Sequence, residues 1–200
     1  MNVNLTDKLS KNKVFPIIRS KDPDFVLNTA RALIDGGFDI FEITTENPQV
    51  FNVIKELSNE AIICAGGIIT SVQAQIAIDS GAKLFSSPVF SKNLVKISKD
   101  RHIPYIAGTS TANEAYEAWK SRVPIVKVFP VTALGGIEYI ENMLRPMPFL
   151  KVIPQGNAKL NEVKRYISAG ALAVGVGRNL ITGSQAEIVN RIKELKVSLR

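Results

Sequence analysis

The 200-residue sequence is poor in cysteine and histidine, and it contains no long apolar run. Its one cysteine, Cys64, excludes an internal disulfide bond. Its one histidine, His102, cannot supply the several imidazole ligands of a typical zinc enzyme, so no metal is expected. No stretch approaches the roughly 20 apolar residues of a membrane span, and residues 1–13 lack the apolar segment of a secretory signal. We therefore expect a cytoplasmic protein that has no membrane partner.

Basic residues outnumber acidic ones by 25 to 18, which gives a formal net charge of +7. This balance suits an anionic ligand but does not identify one. The basic residues are scattered, apart from a modest cluster in residues 190–200 that we interpret as the solvated face of a helix near its C-terminus. Because the sequence has neither a basic stripe with interleaved aromatic residues nor a zinc-finger spacing, no nucleic-acid partner is expected.

Short apolar runs recur through the chain, and their starts are about 20–25 residues apart. Continuous runs of this kind are typical of strands that are covered on both faces. The eight runs are residues 14–19, 38–44, 61–66, 83–88, 103–108, 124–129, 149–156 and 171–177. The segments between them carry helical patterns, over residues 23–35, 49–58, 72–80, 92–99, 112–121, 137–145, 159–168 and 185–197, with a short extra helix over residues 3–12. Asp22-Pro23, Asn47-Pro48 and Thr70 or Ser71 are the predicted helix starts.

Eight strands that alternate with eight helices, without a break in composition, predict one α/β domain over residues 1–200, a parallel (β/α)8 or TIM barrel. The alternative is an open, doubly wound sheet. The sequence "GVGRN" (175–179) favours the barrel, because it contains only half of a dinucleotide-binding motif and lies at the last strand instead of the first. No cofactor is therefore expected.

Lys127 lies at the centre of the sixth apolar run, "PIVKVF". Strand alternation places it on the same face as Ile125 and Phe129, and a long cationic side chain would not fit the face that packs on helices. Burial disfavours the charged form of an amine, and a neutral amine is the nucleophile that forms a Schiff base with a carbonyl group. Alternatively, the lysine extends to solvent or pairs with a carboxylate. The spacing leaves both interpretations open.

Two other strands end in ionisable residues that share the inward face. Glu42 alternates with Ile40 and Thr44 on the second strand, and it could transfer protons or form a structural ion pair with Lys127 or Arg19. Arg19 ends the first strand, where it could bind a substrate carboxylate or remain a solvated loop residue.

The loops after the last two strands, "PQGN" (154–157) and "GVGRN", occupy positions that frequently bind phosphate in this fold. Gly156 and Gly177 would let the backbone approach an anion, and Arg178 would add charge. Alternatively, the glycines only permit tight turns. We interpret Cys64 as a packing residue, and His102, which precedes the fifth strand, as a surface residue.

Several segments resemble, in order and spacing, the 2-keto-3-deoxy-6-phosphogluconate (KDPG) aldolase family. They are "IFEIT", "VKVFPVTALGG", "VIPQGN" and "AGALAVGVG", together with "PIIRSKDP", "AGGIITSVQAQ" and "IAGTSTANE", and they cover nearly the whole chain. The resemblance implies a (β/α)8 barrel, usually a homotrimer, that carries out a metal-free class I retro-aldol reaction. It assigns Schiff-base formation to Lys127 and general acid–base catalysis to Glu42, with pyruvate and glyceraldehyde 3-phosphate as products. Some members instead cleave 4-hydroxy-2-oxoglutarate or the galactonate analogue.

The sequence departs from this family pattern at substrate-contacting positions. Glu46 lies near the place of an arginine, for which Arg19 is the candidate substitute. Ile68 stands where a threonine contacts the pyruvate moiety. Gln155 and Asn157 replace a threonine and a glycine, and Arg178 replaces a phosphate-binding serine. The predicted substrate contacts are Arg19, Thr44, Ile68, Pro88, Phe129, Gln155, Gly156, Asn157, Gly177 and Arg178.

The sequence thus predicts a class I aldolase that cleaves a 2-keto-3-deoxy-6-phospho sugar acid. One alternative is a related aldolase for 4-hydroxy-2-oxoglutarate or another 2-keto acid. Another is a non-catalytic paralogue that binds a phosphorylated metabolite. Retention of both Lys127 and Glu42 argues against the last alternative, whereas the changes at Ile68, Gln155 and Asn157 leave it open.

Overall fold

The computed structural model describes residues 5–199, which are built around one eight-stranded parallel sheet. Its strands are β1 (Val14–Ile18), β2 (Ile40–Thr44), β3 (Ile62–Gly66), β4 (Leu84–Ser86), β5 (Tyr105–Thr109), β6 (Ile125–Val128), β7 (Val152–Pro154) and β8 (Val174–Val176). Strands that are adjacent in sequence pair with each other from β1 to β7, and β8 pairs with β1. A parallel bridge between Gln155 and Gly175 joins the ends of β7 and β8. The sheet is therefore a nearly closed barrel, which confirms the predicted (β/α)8 fold.

Each strand is followed by a helix, as predicted. The helices are α1 (Leu5–Asn12), α2 (Pro23–Asp35), α3 (Val50–Leu57), α4 (Ser71–Asp79), α5 (Lys92–Arg101), α6 (Ala112–Lys120), α7 (Gly136–Leu144), α8 (Val163–Ser168), α9 (Arg178–Ile181) and α10 (Gln185–Ser198). The predicted extra helix over residues 3–12 corresponds to α1, although residues 3 and 4 lie outside the described residues. The sequence did not predict α9, because four residues are too few to show a helical period. Among the described residues, no helix combines the length and apolar character needed to cross a bilayer.

Local side-chain hydrogen bonds set the starts of two predicted helices. Asp22 caps α2 by accepting from the backbone N–H of Asp24 at 3.0 Å, and Thr70 forms a capping box with Gln73 at the start of α4. The predicted start of α3 at Asn47-Pro48 is wrong. Asn47 accepts from the backbone N–H of Gln49 in a turn, and the helix begins only at Val50.

The apolar core has an outer and an inner part. The outer cluster lies between the strands and the helices, and the inner cluster fills the barrel. The inner cluster consists of Leu9 from α1 and one residue from each strand or its immediate start: Phe15, Ile40, Cys64, Leu84, Ile106, Ile125, Ile153 and Ala173. Packed apolar side chains thus fill this part of the barrel interior.

Two residues further along each strand, the same inward face carries a different set of side chains. These are Ile17, Glu42, Gly66, Ser86, Gly108, Lys127, Gln155 and Gly175. We call this set the polar layer, because four of its eight members have polar side chains and three others are glycines. It lies towards the C-terminal ends of the strands, where barrels of this kind place their active sites.

Candidate active site

The polar layer brings three side chains from distant parts of the chain into contact. Glu42 on β2, Ser86 on β4 and Lys127 on β6 are all buried, with exposed fractions of 1%, 0% and 4%. Lys127 therefore does not extend to solvent, which excludes that alternative. Its Nζ lies 3.7 Å from Oε2 of Glu42. The lysine is therefore paired with a carboxylate, as the other interpretation of the sequence expected.

A serine hydroxyl bridges the lysine and the glutamate. Lys127 Nζ donates to Ser86 Oγ at 3.1 Å, and Ser86 Oγ donates to Glu42 Oε2 at 2.8 Å. The direct Nζ–Oε2 distance of 3.7 Å is too long for a hydrogen bond. Burying two charges costs desolvation energy, and apolar replacements of such pairs often leave a fold equally stable. The fold alone thus gives no reason for this pair.

Glycines of the polar layer provide the space that the polar side chains need. A Cβ atom at Gly66 would lie 2.4 Å from Oε1 of Glu42, and one at Gly175 would lie 3.1 Å from the Gln155 side chain. At Gly108 a Cβ would lie 2.2 Å from the backbone carbon of Pro88. Any larger residue at Gly66 would therefore displace the Glu42 carboxylate.

Gln155 holds the second oxygen of the carboxylate. Its Nε2 donates to Glu42 Oε1 across 3.4 Å, while its Oε1 has no hydrogen-bond partner among the described residues, although the side chain is buried. The hydroxyl of Thr44, two residues after Glu42, is also buried without a partner there. Buried polar atoms in proteins are nearly always satisfied. Of these two atoms, Oε1 of Gln155 belongs to a residue that lines a cavity, so it is a candidate for contact with a bound molecule.

Cys64 lies in the inner apolar cluster beneath the polar layer. Burial raises the pKa of its thiol well above the usual value, and the nearby Glu42 carboxylate raises it further, while Lys127 acts in the opposite direction. The thiol therefore stays protonated and un-nucleophilic, in agreement with its interpretation as a packing residue.

A cavity of about 520 Å³ opens at the C-terminal ends of β1, β7 and β8. Its size is typical of small-molecule sites. Six of the predicted substrate contacts, besides Gln155, line it: Arg19, Phe129, Gly156, Asn157, Gly177 and Arg178. Because Gln155 also lines the cavity, its amide connects the open space to the Glu42 carboxylate.

The remaining predicted contacts lie elsewhere. Thr44 and Pro88 do not line the cavity; Thr44 is buried, and the backbone of Pro88 packs against Gly108. Ile68 is fully buried in the outer apolar cluster, and its expected contact with substrate stays a prediction. Gly67, with φ at +78°, ends the extended conformation just before it, and strand alternation no longer applies.

Arg19 lines the cavity and forms an ion pair with a neighbouring carboxylate. Its Nε lies 3.4 Å from Oε1 of Glu46, and both side chains are exposed to solvent. Exposed ion pairs are weak and exchange readily. A substrate carboxylate could therefore compete with Glu46 for this arginine.

Ser86 is the residue of this site that the sequence interpretation missed. It lies in "KLFSSP", where two consecutive serines follow the strand's apolar residues. One of two adjacent strand residues points inward and the other outward, but the sequence does not tell which. In the structure Ser87 points away and hydrogen-bonds with the hydroxyl of Tyr105. Within residues 5–199, no group of three or more His, Cys, Asp or Glu side chains could hold a metal ion.

Comparison with known proteins identifies matching sequences and folds. The family model described as KDPG and KHG aldolase matches residues 5–195. The 2-dehydro-3-deoxy-phosphogluconate aldolase of Treponema pallidum is 27% identical over 169 residues, which are 83% of this chain and 80% of that protein.

Solved structures show the same fold. A 4-hydroxy-2-oxoglutarate/KDPG aldolase superimposes with a TM-score of 0.89 at 23% identity, over the full length of both chains. The KDPG aldolase of Legionella pneumophila, solved with pyruvate captured as a covalent carbinolamine intermediate, has a TM-score of 0.86 at 24% identity, over 99% of this chain and 98% of that one.

Proposed function

Because the chain belongs to the KDPG and KHG aldolase family, we propose that it is a class I aldolase that cleaves a 2-keto-3-deoxy-6-phospho sugar acid into pyruvate and glyceraldehyde 3-phosphate. The observation that carries this proposal is the ion pair of a buried lysine with a buried glutamate, which Gln155 joins to an open cavity. Lys127 and Glu42 supply an amine and a proton carrier, which are the two groups that imine chemistry needs.

The reaction begins at the amine of Lys127. Its lone pair attacks the C2 carbonyl of the substrate to form a carbinolamine, and loss of water gives a protonated imine. Glu42 transfers the protons of these steps and accepts the proton of the C4 hydroxyl. The C3–C4 bond then breaks, its electron pair enters the enamine, and the aldehyde leaves. Protonation of C3 and hydrolysis release pyruvate and restore Lys127.

The part of the substrate beyond the keto group would bind in the cavity. Its walls carry Arg178 and the backbone of Gly156 and Gly177, where a phosphate group could be bound. The unpartnered oxygen of Gln155 can accept a hydrogen bond from a substrate hydroxyl group. We place the keto end near Lys127 and the phosphate near Arg178.

A second candidate is the cleavage of 4-hydroxy-2-oxoglutarate. Arg19 and Arg178 both line the cavity and could bind the second carboxylate of this unphosphorylated substrate. The behaviour of an Arg178 variant separates the two candidates.

Lys127 is expected to form the covalent intermediate. Borohydride added together with pyruvate should reduce the imine and leave a stable adduct on Lys127, which peptide mass spectrometry locates. Lys127→Arg keeps the positive charge but should form no adduct, since guanidinium is not nucleophilic. Lys151→Arg, at an exposed position, serves as the control and should behave like the parent. An adduct on another lysine, or none on the parent, contradicts the proposal.

Glu42→Gln should lower kcat by about 10²–10⁴-fold, because the amide keeps the shape of the side chain but cannot carry the proton. Steady-state assays of pyruvate release measure the effect, and thermal unfolding shows whether the variant is folded. Glu141→Gln, on the exposed surface of α7, is the control. Near-parent turnover of folded Glu42→Gln would leave Glu42 with a structural role only.

Arg178→Ala should weaken kcat/KM for a phosphorylated keto acid by about tenfold or more, since one charge-assisted hydrogen bond exceeds the 1.4 kcal/mol of a tenfold effect. The same variant should leave kcat/KM for an unphosphorylated keto acid nearly unchanged. Equal responses to both substrates, or a parent enzyme that does not prefer the phosphorylated one, would favour 4-hydroxy-2-oxoglutarate instead.

We also propose that the protein is a homotrimer, as the family resemblance implies. An apolar patch supports this proposal. Ile69 precedes α4, Val72 and Ile76 lie four residues apart on that helix, and Val89 follows strand β4. All four side chains are exposed, Val72 by 69%. Contact with a second copy would remove this apolar area from water.

Sedimentation of the parent should give about three times the chain mass of 21.9 kDa. Val72→Glu should shift this mass towards the monomer, because a charge would be buried at each interface. Val197→Glu is the matched control, since Val197 is 65% exposed but lies on α10, outside the patch. A monomeric parent, or dissociation by both variants alike, would contradict the assignment of the patch.

A further inference from the structure

The hydroxyl of Ser86 links the two charged groups of the site through an unbroken chain of hydrogen bonds. The steps from Lys127 Nζ to Ser86 Oγ and from Ser86 Oγ to Glu42 Oε2 are 3.1 and 2.8 Å, both within hydrogen-bond range. The direct step from Nζ to Oε2 is 3.7 Å. We propose that Ser86 is a proton-relay residue between Lys127 and Glu42. The proposal rests on the aldolase function proposed above and names a residue that neither the sequence interpretation nor the family comparison assigned.

The relay moves two protons along the chain of hydrogen bonds from Lys127 to Glu42. The Lys127 ammonium passes one proton to Ser86 Oγ while the Ser86 hydroxyl passes its own proton to Glu42 Oε2. The products are a neutral amine, an unchanged serine and a protonated glutamic acid. No oxidant, metal or additional reactant takes part. The neutral amine can then attack the keto group, and the protonated Glu42 can supply the proton that leaves with water from the carbinolamine.

The surroundings of Ser86 favour this path over transfer through bulk water. Ser86 has no exposed surface, and Lys127 and Glu42 are almost as fully buried. Gln155 occupies the other carboxylate oxygen, which leaves Oε2 directed at Ser86. Cys64 is the remaining titratable group beside this hydroxyl among the described residues, and burial keeps its thiol protonated.

The backbone holds the serine independently of its side chain. Its carbonyl accepts from the backbone N–H of Ile68 at 3.0 Å, and Ser86 pairs with Ile106 on β5. Removal of the hydroxyl should therefore leave the strand in place. Ser87 offers a matched control, because it is also buried but hydrogen-bonds with Tyr105 and with the backbone of Val89, away from Lys127.

The test measures how fast pyruvate is trapped on Lys127 by cyanoborohydride. Ser86→Ala should lower this rate by about 10²-fold, the lower end of the range for general acid–base catalysis. Ser86→Thr keeps a hydroxyl and should recover most of the rate, and Ser87→Ala should react like the parent. Thermal unfolding of each variant confirms that the protein is folded.

Mixtures of H₂O and D₂O give a measurement that a purely structural effect would not change. The parent rate should depend non-linearly on the deuterium fraction, because two protons move together, whereas the Ser86→Ala rate should depend on it linearly. A folded Ser86→Ala variant that reacts at the parent rate, or that is slow but keeps the non-linear dependence, would overturn the relay. In either case an adduct on Lys127 of the parent would leave the aldolase proposal intact. A parent that forms no adduct on Lys127 would overturn both proposals.

Discussion

A lysine and a glutamate buried side by side within a nearly closed sheet are the constraint on which the rest of this site depends. Each charge is costly to bury alone, and the two are tolerated together because they are 3.7 Å apart and linked through Ser86. Their positions follow from the barrel. The nearly closed parallel sheet brings residues 42 and 127 of the chain to one interior, and the apolar cluster beneath them excludes water from below.

The change from an apolar to a polar layer over two residues explains the location of the site. The inner cluster supplies packed apolar contact, while the polar layer replaces large side chains with Gly66, Gly108 and Gly175. Gly66 and Gly175 leave room for a carboxylate and a glutamine amide, and Gly108 leaves room for the backbone of Pro88. One polar atom of this layer, Oε1 of Gln155, has no partner among the described residues, and a bound molecule can supply one. Binding and catalysis are thus proposed for the polar layer and not for the apolar cluster beneath it.

The sequence predicted those features that depend on a regular repeat of residues along the chain. Strand alternation placed Glu42 and Lys127 on the inner face, and the spacing of apolar runs predicted the barrel, because both follow from local backbone geometry. Sequence patterns gave less information at the ends of strands and in loops, where this regular repeat stops. Ser86 could not be distinguished from Ser87 by its neighbours alone, and Ile68, which the family resemblance assigns to the substrate, follows a glycine with positive φ and packs in the outer core. The ion pair of Arg19 with Glu46 also depends on loop geometry that no period describes.

The most direct test of the account is a crystal structure of the protein soaked with pyruvate. The account predicts continuous electron density from Nζ of Lys127 to C2 of pyruvate, with Oε2 of Glu42 and Oγ of Ser86 close to the new bond and the methyl carbon directed towards the cavity. Pyruvate bound without a covalent bond, or joined to a different lysine while Lys127 keeps its contact with Ser86, would contradict it.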